Sequence, residues 1–138
     1  MSALNSPEAI LFDLDGTLVD TAADFVLVLN TQRKKHNYPP LPPQTIRDTV
    51  SDGARALTKL AFGGEPGQAD FELKRLELLD LYAAKAGDQA QLFDGMDDVL
   101  RHFEALNIPW GIVTNKPKRF TDILLDKLSL TSRSAITL

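Results

Sequence analysis

The stretch that decides the predicted fold is residues 9–20, AILFDLDGTLVD. Its first four residues form a short, continuous apolar run, which is typical of a buried parallel strand. Asp13 and Asp15 follow at once, separated by one residue, and Gly16 comes next. Because ligands bind at the carboxyl ends of strands in open α/β sheets, this stretch predicts a strand that delivers two carboxylates to a ligand site.

The same pattern recurs near the other end of the chain. Residues 108–113, IPWGIV, predict a second buried strand, which ends in the polar residues Thr114 and Asn115. Residues 135–138 predict the start of a third strand, and Trp110 is expected to be a core residue. Helical spacing of apolar residues predicts helices beside these strands, at residues 96–106 and 120–128.

The sequence between the two strands predicts helices alone. Four are expected, at about 21–36, 44–50, 54–62 and 69–85, where Gly and Pro punctuate the chain. In the last of them Leu73, Leu76, Leu79 and Ala83 recur at helical spacing, which makes it the longest predicted helix. Residues 33–35, Arg-Lys-Lys, are interpreted as a solvated helix end. The predicted organisation is therefore an α/β domain formed by residues 1–20 and 91–138, with residues 21–90 inserted as a helical domain.

Composition limits the function classes. The chain has 138 residues, 43% of them hydrophobic and 25% charged, which is typical of a folded, water-soluble protein. Its net charge of −4 disfavours nucleic acid and anionic membranes as partners. With no cysteine, disulfides, zinc–thiolate sites and cysteine nucleophiles are excluded. No apolar run approaches a membrane span and residues 1–8 lack a targeting pattern, so a cytoplasmic location is expected.

Two carboxylates at one strand end can do chemistry that a single acid cannot. One can attack phosphorus while the other handles the proton of the leaving group, and a hard cation would offset their repulsion. Gly16 would let backbone N–H groups approach phosphate oxygens. Taken alone, such a pair is also typical of a solvated turn. His36 and His102 have no second ligand at metal-binding spacing and are interpreted as packed or solvated.

A family resemblance favours the chemical interpretation. Residues 12–20 resemble, at every position, the first motif of the haloacid-dehalogenase superfamily. Residues 113–116, VTNK, are similar to the second motif of its phosphoglycolate-phosphatase-like members. Residues 52–57, 92–96 and 110–117 resemble bacterial N-acetylmuramic acid 6-phosphate phosphatases, so the likeness covers nearly the whole chain. It implies a Rossmann-like parallel-sheet core with an inserted helical cap of the C1 type.

The resemblance also implies a reaction. Asp13 would be the nucleophile that forms an aspartyl-phosphate, and Asp15 the general acid and then base. Mg2+ would be held by the Asp13 carboxylate and the Asp15 backbone carbonyl. The substrate would be a small phosphorylated metabolite, N-acetylmuramic acid 6-phosphate or phosphoglycolate.

Further residues take binding roles by the same resemblance. Thr114, Asn115 and Gly16 would hold the transferring phosphoryl group. Gly53 and Arg55 occupy the loop where such caps carry substrate-facing residues. An Arg can pair bidentately with a carboxylate or phosphate, although a surface ion pair accounts for Arg55 equally well.

The chain also departs from the family pattern. The third motif, a lysine, is not matched, because Lys116, Lys118 and Lys127 come too early. The fourth motif, an acidic pair, is not matched either, because no strand followed by two aspartates comes after Thr114. The sequence therefore predicts a core that is incomplete and truncated, weakly held Mg2+, and an open sheet edge that favours self-association. A phosphatase that is inactive as this truncated chain stays open as well, because the third and fourth motifs are not matched. Two alternatives also stay open: a phosphomutase of the β-phosphoglucomutase type, and a catalytically dead binding or assembly module.

Overall fold

A computed structural model describes residues 7–138. Contacts divide the chain into two compact units, an α/β unit (Met1–Asp20 with Gln91–Leu138) and a helical unit (Thr21–Ala90). The elements follow in the order β1 (Ile10–Asp13), β2 (Val19–Asp20), α1 (Ala22–Lys35), α2 (Pro43–Val50), α3 (Ala54–Phe62), α4 (Ala69–Lys85), β3 (Gln91–Leu92), α5 (Met96–Ala105), β4 (Trp110–Val113) and α6 (Lys118–Lys127). The predicted α/β class with a parallel sheet is confirmed.

The sheet of the α/β unit is built on β4. Strand β1 pairs with it in parallel, in a register that runs from Ile10 opposite Trp110 to Asp13 opposite Val113. On the other side of β4, the Ile112 N–H donates to the Ile136 carbonyl at 2.9 Å, and the Leu138 N–H donates to the Ile112 carbonyl at 2.8 Å. Of residues 135–138, Thr137 alone forms a β-bridge, with Ile112, so this segment begins to pair with β4 in parallel but does not form the predicted strand.

The two faces of this sheet differ in burial. Trp110 and Ile112 are buried, and the Trp110 ring meets Phe12 edge-on with 6.1 Å between ring centroids. The prediction that Trp110 is a core residue is therefore confirmed. Other apolar side chains are exposed, namely Leu11 of β1, Val113 of β4, and Ile136 and Leu138 of the segment that runs beside β4. Gly111 lies close beneath two of them: a Cβ there would be 2.7 Å from the Ile136 carbonyl oxygen and 3.2 Å from Leu11 Cδ2.

An ion-pair cluster ties Arg133, which lies between α6 and residues 135–138, to α5. The Arg133 guanidinium donates to Glu104 Oε2 and to Asp97 Oδ1, each at 2.9 Å. Trp110 Nε1 also donates to Glu104, at 3.0 Å. The hydrogen bond from Arg133, followed by the one from Trp110, lowers the pKa of Glu104 below its ordinary value. The cluster thus joins a core aromatic residue to the surface charges around it.

A short antiparallel pair was not expected from the sequence. Val19 pairs with Leu92 and Asp20 with Gln91, so that β2 and β3 join the two chain segments that flank the helical unit. Each strand has only two residues, so it is too short to show the alternation of apolar and polar residues that identifies a strand.

In the helical unit, α1 packs against α2 and α4, and α3 packs against α2 and α4. All four predicted helices are present. The leucines whose spacing predicted α4 do not all face the core: Leu73 and Leu76 are 67% and 49% exposed, whereas Phe71, Leu78 and Tyr82 are buried. Leucines occur around much of this helix, so spacing alone did not identify the face towards α1, where Phe25 stacks on Tyr82.

The prediction that residues 33–35 form a solvated helix end was wrong for Arg33. Its side chain is buried, its Nε donates to the Pro39 carbonyl at 2.8 Å, and its Nη1 donates to the Ala61 carbonyl. Ala61 lies in the last turn of α3, where carbonyls have no partner within the helix. Arg33 therefore supplies one of the hydrogen bonds that the end of α3 lacks.

Glu77 of α4 forms a second polar cluster in this unit. It accepts hydrogen bonds from Lys35 Nζ at 2.6 Å, His36 Nε2 at 2.7 Å and Gln32 Nε2 at 2.9 Å. Burial opposes ionisation of Glu77, but these three hydrogen bonds outweigh it and lower its pKa to about 2. His36 also packs edge-on against Phe62, which agrees with its interpretation as a packed residue. Within residues 7–138, no helix is long and apolar enough to cross a membrane.

Candidate active site

The ends of β1 and β4 bring two predicted site residues to one edge of the sheet. Asp13 is the last residue of β1 and lies opposite Val113, and Thr114 follows Val113 directly. Because the two strands are parallel, both residues lie at the carboxyl edge. The Asp13 side chain is exposed, and its Oδ1 accepts a hydrogen bond from the N–H of the next residue, Leu14, at 2.9 Å.

A tight loop follows Asp13. The Leu18 N–H donates to the Asp13 carbonyl at 3.3 Å, and the Gly16 N–H donates to the Val19 carbonyl at 3.0 Å. Leu14 and Leu18 are fully buried and hold the loop on the core. Gly16 has a φ of 75° and open space where a Cβ would be. Backbone conformation, and not lack of room, therefore makes glycine the suitable residue here.

Asp15 projects from this loop towards a lysine that follows β4. The Nζ of Lys116 lies 2.9 Å from Asp15 Oδ1. The side chain of Lys116 is only 8% exposed, against 34% for Asp15. The sequence assigns no role to Lys116, because it comes too early for the third motif of the family. Its position two residues after Thr114, at the same sheet edge, was the signal that could have identified it.

Thr114 and Asn115 form the turn between β4 and α6. The Thr114 Oγ1 accepts a hydrogen bond from the Lys116 N–H at 3.1 Å, while its own N–H donates to the Leu138 carbonyl at 2.9 Å. Asn115 is exposed. The structure thus collects Asp13, Asp15, Gly16, Thr114 and Asn115 in the α/β unit, on the two connections that leave β1 and β4.

The other two predicted site residues lie in the helical unit. Gly53 precedes α3 with a φ of 92°, and its N–H donates to the Val50 carbonyl at 3.1 Å. Arg55 is exposed in the first turn of α3. Its charge contributes to the lowered pKa of Glu72, after the larger effects of hydrogen bonds from Arg75 and from the Gly67 N–H.

The loop that follows β1 offers oxygen atoms, which are the type of ligand that a hard cation prefers. Mg2+ is commonly bound by one or two carboxylates, with water and substrate phosphate oxygens completing its shell. Asp13 offers an exposed carboxylate, and Asp15 follows two residues later. Across residues 7–138, the structure brings no three His, Cys, Asp or Glu side chains together as a metal site. The residues therefore fit Mg2+ as partial ligands that depend on water and substrate for the remaining positions.

Sequence comparison gives the family. The model of the haloacid dehalogenase-like hydrolases matches residues 10–136, which is most of the chain. This protein belongs to the haloacid dehalogenase-like hydrolase family. The match includes both strand ends described above.

Individual members of the family show high similarity to this chain. The chain is 41% identical over 128 residues to an N-acetylmuramic acid 6-phosphate phosphatase of Pseudomonas putida, with 93% of this chain and 57% of the relative covered. It is 39% identical over 130 residues to a phosphoglycolate phosphatase of Xanthomonas campestris, with 94% and 58% covered. A crystal structure from Haemophilus somnus, described as a predicted phosphoglycolate phosphatase, has the same fold, with a TM-score of 0.77, 23% identity and coverage of 95% and 61%. The chain thus spans less than two thirds of these relatives.

Asp24 is a second residue whose importance the sequence did not reveal. This carboxylate is fully buried at the start of α1 and accepts hydrogen bonds from the N–H groups of Gly87, Gln89 and Ala90 at 2.8, 2.7 and 3.1 Å. An acidic residue in a first helical turn ordinarily indicates a favourable interaction with the helix dipole. Here it instead fixes the two ends of the helical unit to each other.

Proposed function

We propose that this protein is a phosphatase of small phosphomonoesters, with N-acetylmuramic acid 6-phosphate and phosphoglycolate as the candidate substrates. The observation that carries the proposal is the exposed carboxylate of Asp13 at the carboxyl end of β1, in register with Val113 and therefore beside the turn that begins at Thr114. Family membership and the names of the similar relatives support the reaction class.

In the proposed reaction, an oxygen of the Asp13 carboxylate attacks phosphorus and the bond from phosphorus to the ester oxygen breaks. Asp15, in its protonated form, gives its proton to the departing oxygen, so that an alcohol leaves and an aspartyl-phosphate remains. Water then attacks the phosphorus of this intermediate and gives a proton to Asp15. The products are inorganic phosphate and the regenerated Asp13 carboxylate.

Three further residues would position the phosphoryl group. The Thr114 hydroxyl and the backbone around Asn115 lie at the edge where the group would bind, and the N–H groups of the loop at Gly16 lie on the adjoining connection. Phosphoryl transfer depends mainly on positioning and electrostatic stabilisation. Mg2+, bound by the Asp13 carboxylate and the Asp15 carbonyl, would neutralise charge on the phosphoryl oxygens.

The helical unit is proposed to act as a cap that selects the substrate. Arg55 is exposed and positively charged, which suits recognition of a carboxylate or a second anionic group of the substrate. Gly53 would fix the conformation of the loop that presents Arg55 to the substrate. Both roles are carried over from the family resemblance.

Phosphate release from each candidate substrate in the presence of Mg2+ tests the proposal. We expect Asp13→Asn to lower the kcat of phosphate release by at least about 10^3-fold, because the amide is a poor nucleophile. Asp98→Asn is the matched control, since Asp98 is an exposed aspartate of α5 in the same unit. Undiminished hydrolysis by Asp13→Asn would refute the assignment of the nucleophile. An isomerised sugar phosphate in place of free phosphate would indicate a phosphomutase.

We also propose that the chain self-associates through β1. Among the strands of residues 7–138, β1 has β4 as its only neighbour, and its Leu11 is 56% exposed. An open strand edge with apolar side chains is a template for pairing with another strand. A second copy of the same edge would satisfy the backbone groups of both.

Sedimentation velocity over a range of concentrations tests this association. Leu11→Lys should shift the protein towards monomer, because a charge on an edge strand opposes pairing. Leu76→Lys, which changes an exposed leucine of α4, should leave the distribution unchanged. A wild-type protein that stays monomeric at all concentrations would refute the proposal.

A further inference from the structure

Lys116 is the side chain of the candidate site to which neither the sequence motifs nor the proposed reaction assigns a role. Its ammonium group lies 2.9 Å from Asp15 Oδ1 although only 8% of the side chain is exposed. Withdrawing a lysine from water is costly unless its charge finds a partner and good hydrogen bonds. From this contact we infer that Lys116 is a positioning residue that holds the Asp15 carboxylate in one orientation.

The backbone of Lys116 is fixed on both sides. Its N–H donates to the Thr114 Oγ1 at 3.1 Å, and its carbonyl accepts from the Thr121 Oγ1 at 3.3 Å. Thr121 is buried in the first turn of α6. Pro117 follows and restricts the chain further through its fixed φ. The base of the lysine side chain is therefore tied both to the end of β4 and to α6.

The loop that carries Asp15 fixes its backbone but not its side chain. Hydrogen bonds close the loop between Asp13 and Val19, and Leu14 and Leu18 anchor it. The Asp15 side chain is a third exposed, so its carboxylate could turn about its side-chain bonds without an external partner. Lys116 provides that partner and selects one rotamer. Because the two contacting groups come from the connections after β1 and after β4, the pair also links the two halves of the site.

This role rests on the proposed function, in which Asp15 exchanges a proton with the leaving oxygen and then with water. Proton transfer needs the carboxylate within hydrogen-bond reach of the reacting oxygen, and a misplacement of about 1 Å can cost about 10^2-fold in rate. A positioning role predicts a loss in kcat. If Lys116 instead bound the substrate in its ground state, KM would change.

Steady-state kinetics with two variants and a control separates these roles. Lys116→Met keeps most of the aliphatic stem without the charge and should lower kcat by about 10- to 100-fold with KM changed less than about twofold. Lys116→Arg restores the charge and should recover part of kcat. Lys118→Met is the control, because Lys118 is an exposed lysine two residues away. A raised KM at unchanged kcat, or no change in either constant, would overturn the inference.

A measurement without substrate keeps the inference separate from the proposed function. Three-bond couplings from backbone N and carbonyl C to the Asp15 Cγ report its χ1 rotamer in solution. We expect couplings of one rotamer in the wild-type protein and in Lys118→Met, and averaged couplings in Lys116→Met. If Lys116→Met does not fold, Lys116→Gln, with a shorter side chain and no charge, gives the same comparison. Unchanged couplings would overturn the inference even in an active enzyme, whereas averaged couplings in an inactive protein would refute only the phosphatase proposal.

Discussion

Asp13 and Asp24 are only eleven positions apart, yet the two units use them in opposite ways. Asp13, in the α/β unit, is exposed at a strand end and accepts a hydrogen bond from its own neighbour. Asp24, in the helical unit, is fully buried and accepts three backbone hydrogen bonds from residues 87–90. An exposed carboxylate remains available to a ligand, whereas a buried and fully bonded one contributes to stability.

The largest expected effect on stability follows from removing the buried carboxylate. Asp24→Ala leaves three N–H groups without their acceptor, and each buried donor left unsatisfied costs about 1–3 kcal/mol. We expect a loss of about 3 kcal/mol or more in the free energy of unfolding, measured by urea denaturation. Hydrogen exchange should accelerate at the amides of Gly87, Gln89 and Ala90.

Asp70→Ala is the matched control for this comparison. Asp70 also lies in the first turn of a helix, but its side chain is 85% exposed. Its substitution should change stability by less than about 0.5 kcal/mol. Equal losses for the Asp24 and Asp70 variants would contradict the structural role assigned to Asp24.

Glu77 provides an intermediate case, because it is partly buried and holds three side-chain partners. Its pKa is about 2 in the folded protein and 4.5 ordinarily, so its stabilisation is complete above pH 4.5 and is lost as the pH falls towards 2. Glu77→Gln should therefore be about 2 kcal/mol less stable than the wild type at pH 6. The difference should narrow steadily below pH 4.5.

Urea denaturation of both proteins between pH 2.5 and 6 measures this dependence. Glu65→Gln serves as the control, because Glu65 is an exposed residue of the same unit that pairs with Lys59 across 3.2 Å. Its difference from the wild type should stay small at every pH. A Glu77→Gln deficit that does not vary with pH would show that packing, and not ionisation, accounts for the loss.

The elements were predictable from the sequence where the local signal was strong. The bounds of α3 and α4 agree with the predicted 54–62 and 69–85, because Gly53, Gly63 and Gly87 punctuate the chain there. Both long strands end where apolar runs give way to polar residues. The shared location of Asp13 and Thr114 was predictable too, because parallel strands end at the same edge of a sheet.

What the sequence did not reveal depends on contacts between distant positions. The acceptor role of Asp24 involves residues more than sixty positions away, and the Lys116–Asp15 contact spans 101 positions. The buried face of α4 depended on where α1 lies, because leucines occupy several faces of that helix. Periodicity shows that a helix has an apolar face, but with leucines on several faces it does not determine which one packs.

The smallest expected effect on stability comes from Asp13→Asn, the variant with the largest expected effect on catalysis. The side chain is exposed, and asparagine keeps a carbonyl oxygen that can accept a hydrogen bond from the Leu14 N–H. The loss of the charge should therefore remove little stabilisation of the fold. Asp15 lies two residues away in the same loop, and removing one of two neighbouring negative charges lowers their repulsion. Functional sites commonly give up stability for activity, so the variant should equal the wild type within about 0.5 kcal/mol or exceed it. A clear loss in urea denaturation, comparable with that of Asp24→Ala, would mean that Asp13 supports the fold and would break the contrast between the two carboxylates.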